Sequence, residues 1–260
     1  MRKYSRCSGM LLACLLMLAG TRRVEAVQLS FTLYAVGLPV ANSTMTFNLT
    51  PAGYGMGLSY RLTGVASVFN GDHLDEITKG VFEHDQPIPL EFRSDIKLHG
   101  QDRTVILSYR DGNPTNSLIM PPNEEERDIV SPSLREHTFD PLTAVVDIVE
   151  IASRTGRCDL SHYIYDGRRR ELFEAHTMGE ENIAPSGRSI FSGQALRCDY
   201  FTKPIAGFRT GEGREEDQRI RKGTVWLGQA IPGGPRLPVQ GIVDVRFLGS
   251  ATMYLSEVKP

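Results

Sequence analysis

The chain has 260 residues, with 29 Lys and Arg against 31 Asp and Glu and 40% hydrophobic residues. That is enough for one large core, and no repeat or low-complexity linker divides it. A formal net charge of −2 supplies no counterion-release drive toward nucleic acid and no general attraction to anionic lipid.

Residues 1–26 read as a secretory signal: basic Arg2, Lys3 and Arg6, an apolar run from Met10 to Ala19, and a Val24-Glu25-Ala26 cleavage site. The apolar run of about ten residues falls short of the roughly 20 that span a bilayer. The expectation is cleavage near Ala26, a mature chain from Val27, and no membrane span in the mature form. Leu11-Leu12-Ala13-Cys14 has the outline of a lipoprotein cleavage box, but cutting there would leave almost no apolar segment before the cysteine. Removing residues 1–26 takes away five basic residues and Glu25, leaving 24 Lys and Arg against 30 Asp and Glu, a net charge near −6.

From Gln28 onward, short stretches alternate apolar and polar residues, the period of half-buried strands. Leu29/Phe31/Leu33, Met45/Phe47/Leu49, Leu58/Tyr60/Leu62 and Val105/Leu107/Tyr109 each present one apolar face. Gly37-Leu38-Pro39, Pro51-Ala52-Gly53, His99-Gly100-Gln101 and Asp111-Gly112-Asn113-Pro114 supply turns. Pro121-Pro122 and the acidic Glu124-Glu125-Glu126 read as an exposed loop.

DPLTAVVDIVEIASRTG, residues 140–156, breaks this rhythm. Asp140 can cap, Pro141 suits the first helical position and Gly156 can close the C-terminus, which predicts a helix near 141–154. Thr143, Asp147, Glu150 and Arg154 fall on one narrow polar stripe, expected to be a solvated or salt-bridged edge, and apolar residues occupy the rest. A helix apolar on most sides, in a chain of strands with one apolar face, is best buried if the sheet curls around it. The predicted fold is mainly β, a curved antiparallel sheet forming a partial barrel wrapped around one central α-helix, in a single domain over 27–260.

Cys7 and Cys14 leave with the signal, so Cys158 and Cys198 remain. An even pair in an exported chain predicts a disulfide, and neither cysteine has the neighbour spacing of a thiol metal site. Between them lies a hairpin with Tyr163/Tyr165, a turn at Asp166-Gly167, and Arg168-Arg169-Arg170. In a strand, Arg168 and Arg170 would share one face, so these two are the candidate anion-binding pair. The rival reading is exposed solubilising charge, paired across strands with nearby glutamates. Further on, Ile205, Phe208, Trp226 and Leu237 are candidates to line an apolar hollow, or equally plain core. Gly207 marks a bulge or close backbone approach. Val243/Val245/Phe247 and Met253/Leu255 close the strand pattern, for roughly ten or more strands in all.

Asp140-Pro141-Leu142-Thr143-Ala144, Cys158, Tyr165-Asp166-Gly167-Arg168-Arg169, Cys198, Ile205-Ala206-Gly207-Phe208, Trp226 and Leu237-Pro238-Val239, in that order, resemble the bacterial envelope proteins of domain of unknown function 3108. The resemblance covers most of the mature chain and is firmest over 140–260. It implies an exported, periplasmic protein with a curved antiparallel sheet around a helix, and it implies no established activity.

The residues themselves argue against an enzyme. Gly-x-Ser-x-Gly is absent, as are His-Glu-x-x-His, a phosphate-binding Gly-rich loop and a dinucleotide fingerprint. The six histidines are scattered; His162 and His176 could face each other across the hairpin, but spacing indicates no third ligand. No catalytic residue, metal or cofactor is expected. The expectation is a non-enzymatic envelope protein that holds an apolar or amphipathic ligand such as a lipid. The alternative is an envelope scaffold, with a protein partner and a helix that fills the hollow completely.

Overall fold

The computed structural model of the protein describes residues 26–64, 72–98, 100–245 and 249–260. The expected signal segment up to Glu25, and the predicted turn and strand residues His99 and Phe247, lie outside the described residues.

Among the described residues, thirteen strands form one antiparallel sheet that does not close. One half comprises β1 (Val27–Ala35), β2 (Leu38–Thr50), β3 (Gly53–Leu62), β4 (His73–Glu83), β5 (Gln86–Leu98), β6 (Gln101–Arg110) and β7 (Asn113–Met120). The other comprises β8 (Leu160–Tyr165), β9 (Arg170–Ile183), β10 (Gly193–Ala206), β11 (Arg221–Gly228), β12 (Leu237–Val245) and β13 (Gly249–Lys259). The chain starts mid-sheet at β1 and meanders out to the β7 edge. It then crosses to the β8 edge and meanders back until β13 pairs with β1. The crossing segment contains α1 (Pro141–Thr155), and a short α2 (Arg214–Asp217) lies between β10 and β11. Among the described residues, no helix is long and apolar enough to cross a membrane.

The helix signals act as the sequence predicts, and α1 runs one residue beyond the expected end. Asp140 accepts from the amides of Leu142 and Thr143, and Gly156 adopts φ +69°. Of the expected solvated or salt-bridged stripe, the solvated alternative is corrected for Thr143 and Asp147. Thr143 and Asp147 are buried, at 0% and 5% exposure, while Glu150 is half-buried and Arg154 exposed. The reason is local pairing. The Thr143 hydroxyl donates to Asp140 at 2.5 Å and meets the Tyr54 hydroxyl at 2.8 Å, and Asp147 meets His162 on β8 at 2.6 Å.

Two apolar clusters share this helix. Leu142, Val146 and Val149 pack with Leu29, Phe31, Phe47, Phe92 and Leu107 of the first half of the sheet and with Leu237 and Val239 of β12. Ala144, Ile148 and Ala152 pack with Ile164, Phe173, Leu196 and Leu227 of β8–β11. Within the second cluster, Cys158 and Cys198 form a disulfide with Cα atoms 6.2 Å apart. The bond ties the chain ahead of β8 to β10, across β9.

Candidate functional site

The inward faces of the strands leave a cavity of about 460 Å³ beside the first turns of α1, within the range of roughly 300–1,000 Å³ usual for small-molecule sites. Each contributing strand adds residues from near the same end: the start of β4, β6, β9 and β11 and the finish of β5, β8 and β10. Leu74, Ile96, Val105, Val145, Ile164 and Phe173 make apolar wall. Arg103, Arg168, Arg169 and Arg221, with Glu76, Asp166 and Glu171, add charge.

The turn Asp166–Arg169 between β8 and β9 is built into the opposite half of the sheet. At Gly167, φ is +89° and a Cβ would lie 2.4 Å from Val105 of β6, so only glycine lets the turn approach. Asn123 donates to the Gly167 carbonyl at 2.9 Å, and the Tyr165 hydroxyl lies 2.8 Å from the same oxygen and 3.1 Å from the Asn116 side-chain oxygen, one of which accepts its hydrogen.

Burial pushes the Asp166 carboxyl up, but Arg169 and the amides of Arg168 and Arg169 outweigh this and hold it below the usual carboxylate range. Asp166 in turn holds the Arg169 guanidinium charged. Arg221 bonds Glu171 directly, and Arg169 stands 3.8 Å from the same carboxylate oxygen. Arg103 pairs with Glu126, and its buried Nε has no partner among the described residues. Opposite in character is Glu76, to which no guanidinium is bonded among the described residues. Burial pushes its carboxyl up to about 7, despite a 2.9 Å hydrogen bond from Ser94. Behind the cavity, burial likewise lifts the Asp140 cap to about 6, against hydrogen bonds from Thr143, Leu142 and Thr78.

The predicted anion pair is corrected. Arg168 belongs to the turn, not to a strand face shared with Arg170, and is buried. It donates to the carbonyls of Met120 and Pro121 at 2.8 and 3.1 Å and to Asn123 at 3.2 Å. Arg170 is also buried, its guanidinium 3.9 Å from the centre of the Tyr163 ring and its Nε unpartnered among the described residues. Of the two, Arg168 lines the cavity and Arg170 does not. The solubilising-charge reading fails equally for these two, since both are 9% exposed.

None of Ile205, Phe208, Trp226 and Leu237 lines this cavity. Leu237 is plain core, Trp226 donates to Glu181 at 2.8 Å, and Phe208 lies beneath Arg214, 5.5 Å away. Ile205 is half-buried on β10. His162 pairs with Phe173 across the hairpin, not with the exposed His176. Among the described residues, no group of three or more His, Cys, Asp or Glu is placed to hold a metal.

Sequence reasoning missed Glu76, Arg103 and Arg221. The signal present was weak: Leu74, Glu76 and Thr78 share a strand face while Ile77 points out at 55% exposure. That pattern runs against the usual apolar-inward alternation of a half-buried strand.

A crystal structure titled as a beta-barrel-like protein of domain of unknown function DUF1849, from Brucella abortus, is similar over 91% of this chain and 98% of that one, with a TM-score of 0.54 and 12% identity. At that identity the likeness concerns the fold alone. No curated protein matches the chain. Residues 30–256 match the model of the family described as protein of unknown function (DUF3108), and the chain belongs to that family.

Proposed function

We propose that this protein is a non-enzymatic binding module of the bacterial envelope, exported to the periplasm, that holds an apolar or amphipathic ligand such as a lipid in the cavity beside α1. The observation that carries this reading is the cavity of about 460 Å³, whose lining joins apolar wall to guanidinium groups. In this reading the sheet curves around α1 without being filled by it. Support comes from the two faces of α1, one packed against strands from both halves of the sheet and the other against β8–β11, while Pro141, Ala144 and Val145 border open space.

The scaffold reading has one observation in its favour: each of the four lining arginines already has an internal partner. Native mass spectrometry of the chain purified from the envelope of a producing cell decides between them. One co-purifying amphiphile per chain, released on unfolding, supports the binding module. A bare chain that also takes up no added lysolipid or fatty acid supports the scaffold.

A further inference from the structure

We propose that the cavity takes the head of a singly charged oxyanion on one apolar chain, a fatty carboxylate or a lysolipid phosphodiester, and that Glu76 binds a proton as the anion enters. This deepens the binding reading above and rests on it.

The first observation is the charge of the lining. Arg103, Arg168, Arg169 and Arg221 face Asp166 and Glu171, with Glu126 bonded to Arg103 and 3.9 Å from Arg168. Glu76 is the remaining carboxyl of the lining. Protonating it removes one negative charge from beside the guanidinium groups, which a singly charged oxyanion then restores. The second observation is donor geometry. Arg221, with a side chain 47% exposed, uses Nη2 on Glu171 and Nε on Thr202 at 3.4 Å, so Nη1 remains for an entering oxygen. A guanidinium suits this because its fork can serve two oxyanions at once. The third is size. A cavity of about 460 Å³ lies in the lower half of the small-molecule range, which fits one chain better than two.

The proton follows from what Glu76 faces. Ser94 of β5 donates to it, and the carboxylates of Asp166 and Asp140 repel its ionised form while Arg169 favours it. Arg103 and Glu171 line the same cavity, and Tyr60 shares its face on the adjoining β3. Burial keeps the Tyr60 phenol neutral, and pushes Tyr200 across the cavity up to about 12. Burial brings Glu76 itself to about 7. An oxyanion is one more negative charge, so it binds best to the protonated form.

Isothermal titration calorimetry of the full chain with lauroyl lysophosphatidylglycerol, dodecanoate and neutral monolaurin tests this. If only the protonated form is competent, apparent affinity for the anions falls roughly tenfold between about pH 6 and about pH 8, while monolaurin is unaffected. Glu76→Gln abolishes that dependence, and Arg221→Gln weakens the anions about tenfold but not monolaurin. Binding of either anion alone supports the proposal and names the source of the charge. Equal binding of anions and monolaurin, or a pH dependence that survives in Glu76→Gln, overturns it while leaving the binding module standing. No binding of any of the three overturns both.

Discussion

Gly207 lies so close to Arg168 that a Cβ on it would stand 2.1 Å from the Arg168 carbonyl oxygen. The contact presses the end of β10 onto the turn that carries Asp166, Arg168 and Arg169 to the cavity. Gly207 also has φ +83°, where a side chain is strained even without a neighbour. Gly207→Ala should therefore destabilise by more than about 2 kcal/mol, since collision adds to the cost of the left-handed backbone. Chemical denaturation checks this; a change below about 0.5 kcal/mol, as at an ordinary surface site, would show that the approach is not needed.

The disulfide should account for a large part of the stability. Cys158 and Cys198 are fully buried and 40 residues apart, a loop whose closure is worth about 4 kcal/mol in the chain-entropy model. Replacing both by Ala should lower stability by roughly 2–5 kcal/mol. Non-reducing peptide mapping should find the two cysteines joined, and free thiols there would contradict the pairing.

Ile148 is 5% exposed, between Ala144 and Ala152 on the α1 face that meets β8–β11. Ile148→Asp would bury an unpaired carboxylate and should cost several kcal/mol. A soluble variant with a wild-type melting temperature would place that face in solvent.

Much of the framework was legible from residues 27–62 and 105–109, because most inward residues there are apolar and most outward ones polar. Asp140, Pro141 and Gly156 likewise declared α1 at both ends, and the Cys158/Cys198 pair declared the disulfide. The cavity was not legible for the reason that makes it a cavity. Its lining places Glu76, Ser94 and Arg103 inward on β4, β5 and β6, which breaks the two-residue signal. The arginine cluster misled for a related reason. Strand periodicity assumed that Arg168 lay in a strand, but Gly167 and the Asp166 side chain, which accepts from the amides of Arg168 and Arg169, fold those residues into a turn.

Stability should also respond to Glu76. Its folded pKa, about 7 through burial, stands above the unfolded value near 4.3. Its contribution is therefore fully present below about pH 4 and is lost as pH rises through about 7. Glu76→Gln should leave the melting temperature almost unchanged near pH 4 and raise it near pH 8, because the variant no longer ionises in place. Thermal melts of both proteins at the two pH values check this. An increase confined to the acid side would reverse the sign and contradict the burial of this carboxyl.

The ligand-holding cavity is tested most directly by filling it. Val145 is half-buried on α1 and borders the open space, so Val145→Trp occupies the cavity from the helix side. Fluorescence titration of a polarity-sensitive fatty-acid probe should show one site on the wild-type chain. On Val145→Trp, affinity should fall at least about tenfold, the equivalent of about 1.4 kcal/mol, while the thermal transition remains cooperative. No saturable binding to the wild type, or equal binding by a folded Val145→Trp, would contradict the account.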